Sequence, residues 1–120
     1  MAVSSFIINV TTDQPDELKR FYGDVVGLPP NPEMGESAFM AGPTPFLIDG
    51  HSEIHGKAKE PARMLLNFFV DDLKSEQARL EGQGVKFIRT AGKEYWGGVI
   101  STFLDPDGNY CQFIEFKPEQ

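Results

Sequence analysis

Three groups of residues in this chain have types and spacings that could do chemistry. His51-Ser52-Glu53-Ile54-His55 holds the two histidines with a carboxylate between them. In an extended segment those three side chains share a face and could clip a zinc ion. Flanked by Gly50 and Gly56, the same residues also read as a solvated polar linker. The second group is a set of amides inside apolar runs: Asn9, Asn67 and Gln112. A neutral amide both donates and accepts hydrogen bonds without ionising, so it suits recognition of a small organic molecule better than proton transfer. It can equally satisfy a neighbouring polar group in a core. The third group is Tyr95-Trp96, set in Gly92-Lys93-Glu94-Tyr95-Trp96-Gly97-Gly98. It reads either as a lid over a cavity mouth or as an aromatic plug at a sheet end. Acid–base chemistry has only Tyr110, Glu94 and Glu115 to draw on, and no sequence signal tunes any of them.

The elements that must position these residues recur in order. Phe6–Thr11 has strand composition and is followed by a helix pattern. Asp13 is the expected cap, Pro15 suits a first turn, and Leu18, Phe21, Tyr22 and Val25 form one apolar stripe that Gly27 ends. Short strands are expected around 36–40 and 45–49. The order then repeats: a strand over 64–70, a cap at Asp71 or Asp72, and a helix with Leu73, Gln77 and Leu80 on one face, closed by Gly82. Strands follow at 85–89, 98–104 and 109–116. Val10 matches Val70, an offset of 70 − 10 = 60 residues. In Asp105-Pro106-Asp107-Gly108-Asn109, Pro106 suits the second position of a type I turn. Asp105 can bond the turn's own amides, and Gly108 tolerates a left-handed backbone. Beyond the turn, Tyr110, Gln112 and Ile114 point one way and Cys111, Phe113 and Glu115 the other.

Bulk composition bounds the rest. A chain of 120 residues, 40% hydrophobic and 24% charged, fits one globular domain with a core that needs no staples. A net charge of −7 with scattered Lys and Arg argues against nucleic acid and against anionic membrane surfaces. Cys111 is the only cysteine, so no internal disulfide or thiolate cluster forms, and its apolar strand predicts a buried, inert thiol. The first residues lack signal-peptide features and no apolar run reaches membrane-spanning length. A soluble cytoplasmic protein is expected.

With these elements in place, the chain resembles the vicinal oxygen chelate superfamily of glyoxalases, bleomycin-resistance proteins, fosfomycin-resistance enzymes and extradiol dioxygenases. The resemblance is carried by Arg20-Phe21-Tyr22-Gly23-Asp24-Val25-Val26-Gly27-Leu28, Phe69-Val70-Asp71-Asp72-Leu73 and Asp105-Pro106-Asp107-Gly108-Asn109, in order along nearly the whole chain. It implies an α+β fold of two βαβββ modules forming a curved mixed sheet that lines a cup-shaped cavity. Module one would span about 1–50, a linker 50–62 and module two about 63–118, all within a single domain. It also implies a homodimer. It names no reaction, because one fold hosts many chemistries.

Metal-dependent members of that family resemble one another in placing a His or Gln at the start of each module's first strand and a Glu midway along its last. Transferred by strand parity, those positions fall on Ser5, on Phe46 or Leu47, on Leu65 and on Gln112. The set contains no imidazole and no carboxylate, and only Asp49 nearby is acidic. Leucine cannot ligate, and an amide is a poor substitute for a carboxylate on a hard or borderline cation. The expectation is therefore a protein with no cofactor and no inherited metal site, binding a small organic ligand in its cup as drug-sequestering resistance proteins do. Ser5, Asn9, Asn67, Phe69, Tyr95, Trp96, Tyr110 and Gln112 are its candidate ligand-binding residues. The alternative is a metal-dependent lyase, isomerase or dioxygenase using Asp49, Glu53 or the histidines. The ligand's identity, and whether any reaction occurs, are not readable from the residues.

Overall fold

The computed structural model describes residues 1–116, so the expected end of module two near 118 falls outside the described residues. The chain is α+β and divides into two compact units, Met1–Gly56 and Lys57–Gln120. The expected linker is shared between them.

In the first unit, β1 (Ile8–Thr12) leads into helix α1 (Pro15–Arg20), which loosens into a π-helical turn over Phe21–Val26. β2 (Ala38–Ala41) and β3 (Thr44–Gly50) follow, and the sheet order is β1-β3-β2, with β1 parallel to β3. Three members of the expected stripe, Leu18, Phe21 and Tyr22, are buried, and the Tyr22 ring lies 4.8 Å from that of Phe46. At its end Val26 is buried in place of the expected Val25, because the π-helical turn widens the spacing by one residue. Gly27 closes the helical segment at φ +92, its amide and that of Leu28 both donating to the Tyr22 carbonyl. Gly23 has a packing reason: a Cβ there would come within 2.9 Å of the Phe39 ring.

Two expectations fail in this unit. Asp13 does not cap α1; Gln14 holds the N-cap position and makes no side-chain cap. The Thr12 hydroxyl accepts the Gln14 amide at 3.0 Å, and the Asp13 carboxylate is taken by the Gly56 amide at 2.7 Å. The fourth strand of the module is also reduced to one bridge, Pro30 with Phe39, flanked by Asn31 N–H to Ala38 O and Met40 N–H to Pro29 O. Prolines at 29, 30 and 32 carry no amide hydrogen, so a continuous ladder cannot form there.

The second unit has the full complement: β4 (Leu66–Phe69), α2 (Leu73–Gly82), β5 (Phe87–Lys93), β6 (Val99–Leu104) and β7 (Tyr110–Glu115), in sheet order β4-β7-β6-β5. Asp72, not Asp71, caps α2 by accepting the Ser75 amide at 3.2 Å. α2 lies on one face of the sheet, with Leu73 and Leu80 buried, the Leu73 amide donating to Glu115 at 3.0 Å, and Gln77 bonded to the buried Ser101 hydroxyl. Phe103 sits at the centre of this face, 5.2 Å from the Phe87 ring and 5.0 Å from that of Phe113. Cys111 is fully buried here. The N-cap positions Gln14 and Asp72 stand 72 − 14 = 58 residues apart, two fewer than the sequence offset. An even difference leaves strand parity unchanged.

Candidate functional site

The last hairpin forms as its sequence requires. Asp105 Oδ1 accepts the amides of Asp107 and Asn109, each at 2.9 Å, and Oδ2 accepts the Asn109 side chain at 2.8 Å. Gly108 adopts φ +84 and donates to the Asp105 carbonyl, closing the turn. This fixes the phase of β7, and register carries that phase across the sheet. Gln112 stands opposite Asn67 on one side and Thr102 on the other; Ile114 stands opposite Phe69 and Ile100. Tyr110 and Leu104 pair at one end. The face opposite α2 thus carries Asn67, Phe69, Tyr110 and Gln112 together with Ile100, Thr102, Leu104 and Ile114.

Four of the eight candidate residues are brought together on this face, which is open around Asn67 and Phe69, whereas Ile100, Thr102 and Ile114 are buried. Gln112 Nε2 donates to Thr102 Oγ1 at 3.0 Å, which holds the amide in one orientation and leaves its oxygen as an acceptor. The Asn67 side chain beside it is exposed and makes no hydrogen bond among the described residues. Phe69 is 71% exposed, an unusual position for a phenylalanine on a sheet. Tyr110 borders an open depression of about 400 Å³ that is also lined by Glu60, Pro61, Ala62 and Arg63. In its rim Arg63 pairs with Glu60 at 2.6 Å.

Trp96 lies at the opposite end. By alternation, Gly98 and Phe116 present to the same face as Ile100 and Ile114, and the indole stacks 5.8 Å from the Phe116 ring. It also covers Gly98, where a Cβ would come within 1.9 Å of the indole. Tyr110 and Phe116 are six residues apart, or about 20 Å along a strand. Trp96 is therefore stacked at the sheet end while still 40% exposed, and Tyr95 at the hairpin tip is 99% exposed. Ser5 and Asn9 belong to the first unit. Ser5 precedes β1 and is exposed, because β1 begins only at Ile8. Asn9 stands opposite Leu47 on the face away from α1.

That register also settles the ambiguous position: Leu47 shares a face with Asn9, whereas Phe46 is buried in the core. On the resemblance drawn from the sequence, the transferred ligand positions would then be Ser5, Leu47, Leu65 and Gln112. A hydroxyl, two hydrocarbon side chains and an amide do not fit a divalent cation. The histidine segment turns instead of extending. The Glu53 amide donates to His51 Nδ1 at 3.1 Å and the Ile54 amide to the His51 carbonyl, so the shared face of an extended clip is lost. Among the described residues, no three His, Cys, Asp or Glu side chains are grouped to hold a metal ion.

Sequence reasoning missed one charged residue on the Gln112 face, Arg89, and its pairing with Glu94. Arg89 stands opposite Thr102, and its guanidinium lies over Gly92, where a Cβ would be 2.6 Å from Nε and 2.7 Å from Nη2. Glu94 accepts from Arg89 Nη1 at 3.0 Å. The available signal was Gly92 directly after Phe87-Ile88-Arg89-Thr90-Ala91, a run of strand formers without alternation, where a glycine marks a bulge or a close approach.

Compared with known proteins, residues 6–113 match the family model described as the Glyoxalase/Bleomycin resistance protein/Dioxygenase superfamily. No curated protein matches the chain. Solved structures of similar fold include a protein from the mobile metagenome of V. pseudocholerae (TM-score 0.75, 23% identity, 98% of each chain covered). A glyoxalase/bleomycin resistance protein/dioxygenase family enzyme from Burkholderia phytofirmans matches at TM-score 0.74 and 19% identity, over 92% of this chain and 97% of its own. Lactoylglutathione lyase from Agrobacterium tumefaciens matches at TM-score 0.70 and 20% identity, over 96% of each chain.

Proposed function

The chain belongs to the Glyoxalase/Bleomycin resistance protein/Dioxygenase superfamily, and from that premise we propose that it binds a small organic molecule on the open face of its second sheet without the family's metal site. One observation carries this reading: Gln112, anchored to Thr102, stands beside Asn67, whose side chain makes no hydrogen bond among the described residues, in a surround of Phe69, Ile114 and Tyr110. Apolar walls with a few oriented polar groups are what small-molecule sites are made of. Where a metal-binding relative would place a carboxylate, this chain places an amide that recognises hydrogen-bonding groups. Two copies of the chain form the working unit in this reading, which light scattering on the purified protein would test.

Protein purified without chelator is expected to contain no stoichiometric divalent metal by elemental analysis. In ligand-observed NMR with a library of single-ring amides and alcohols, binders of the native chain should be lost with Gln112→Ala. Binders that survive that substitution would move the site elsewhere. Firm occupancy of one metal ion per chain would favour a metal-dependent lyase, isomerase or dioxygenase instead, and activity restored to a chelated sample by Zn²⁺, Ni²⁺, Mn²⁺ or Fe²⁺ would establish it.

A further inference from the structure

The segment leading into β4 reads in the sequence as a polar linker, yet its second part is fastened to the last hairpin. The Lys57 ammonium donates to the Pro106 carbonyl, and the Ala58 amide donates to the Asp107 carbonyl at 2.8 Å. Just beyond, Glu60-Pro61-Ala62-Arg63 forms a closed turn. The Arg63 amide donates to the Glu60 carbonyl at 3.0 Å, and Pro61 fixes the backbone at the turn's second position. The side chains close the turn a second time, Glu60 Oε2 accepting Arg63 Nη2 at 2.6 Å and Nε at 3.2 Å. Because β4 runs parallel to β7, residues entering β4 arrive where β7 begins, at Tyr110. The depression of about 400 Å³ bounded by this turn and Tyr110 thus follows from the topology, and both of its walls are anchored.

The lining decides what fits. Tyr110 supplies an aromatic side chain that is only partly buried and whose hydroxyl makes no hydrogen bond among the described residues. Pro61 and Ala62 supply hydrocarbon, and the two rim charges neutralise each other within the turn. Such a lining holds a flat, uncharged ring better than an ion. Tyr110 and Gln112 lie on one face two residues apart, about 7 Å along the strand. We propose that the depression is a second compartment of the ligand site, receiving an uncharged aromatic ring while Gln112 and Asn67 hold a carboxamide of the same molecule. The inference rests on the ligand-binding reading above. It brings the turn 60–63 into the site, and it sets the length of the ligand. Benzamide, whose ring carries the carboxamide directly, cannot reach both compartments, whereas 4-phenylbutanamide can.

The test titrates 4-phenylbutanamide, benzamide and butanamide calorimetrically into the full chain. The first should bind at least about tenfold more tightly than either of the others. In amide NMR spectra the signals of Ala62 and Arg63 should shift with 4-phenylbutanamide, through the ring current, and stay still with butanamide. Two substitutions attack the compartment and leave Gln112 in place. Ala62→Phe fills the depression from an exposed turn position, and Tyr110→Leu removes the aromatic side chain while keeping an apolar strand residue. Each should reduce the advantage of the ring to about twofold or less, with butanamide affinity and the circular dichroism spectrum unchanged. Equal affinity for the three amides, an advantage that survives both substitutions, or ring shifts confined to residues away from the turn would overturn the inference. If the short amides bind and are lost with Gln112→Ala while the longer one gains nothing, the ligand-binding reading stands and this one falls. If 4-phenylbutanamide binding is untouched by Gln112→Ala, or none of the three binds up to about 10 mM, both fall.

Discussion

The two units are built to one plan and differ most at the edge of each sheet that lies next to its central hairpin. In the first, that edge is the proline-rich stretch beside β2, which makes a single bridge and carries no charged group onto its sheet. In the second, the corresponding edge is β5, a full strand twice displaced, with Arg89 and Glu94 paired over Gly92. The faces follow the same contrast. Asn9 stands opposite Leu47, with hydrocarbon for a neighbour, whereas Asn67 stands opposite Gln112, which is itself tied to Thr102. The second face groups polar side chains that the first does not pair. A shared fold says where a site can be, and the individual residues make the difference between the two copies of the plan.

That contrast can be attacked first through the core that holds the second face in place. Phe103→Ala removes a fully buried ring packed against Phe87 and Phe113, and should cost about 3–5 kcal/mol in denaturant unfolding. A loss below about 1 kcal/mol would show that the aromatic cluster does not organise the sheet. Next, Gly92→Ala adds a methyl where the Arg89 guanidinium lies. A flexible side chain can move aside, so the stability change should stay under about 1 kcal/mol. Denaturant unfolding reads this change, and a larger loss would show that Arg89 is fixed over Gly92 instead of free to move. The helix starts offer a smaller comparison. Asp72→Ala should lose about 1 kcal/mol because its carboxylate caps α2, whereas Gln14→Ala, which removes no cap, should change little. Equal effects would mean the two helices begin alike after all. Smallest of all, Ala91→Gly should leave stability unchanged or raise it by about 1 kcal/mol at most, since it relieves the positive φ.

What was legible in the residues was whatever depends on near neighbours. The turn from Asp105 to Asn109 and the alternation of β7 follow from local chemistry, and both stand in the structure. So do the inward face of α2 and the start of the α1 stripe, read from helical spacing; the stripe departs from it only where the π-helical turn buries Val26 instead of Val25. Reading failed where the period of two was interrupted. A strand expected to end at Arg89 continues to Lys93, and the bulges reverse the parity by which Arg89 would have been assigned a face. Asp13 was misread because Thr12 and Gly56 compete for the same local groups, and a competition across more than forty residues leaves no trace in a short window. Phe46 and Leu47 could not be told apart until pairing with Asn9 fixed their phase.

The prolines beside β2 have one more consequence. A sheet edge with free amides in a row is a template on which another chain can add a strand. Pro29, Pro30 and Pro32 withdraw those donors from the outer border of the first sheet, and the twice-bulged backbone of β5 breaks up the border of the second. Chemically unrelated as they are, the two devices each interrupt one border on which a further strand could add, which leaves β1 and β4 as the regular edges of the two sheets.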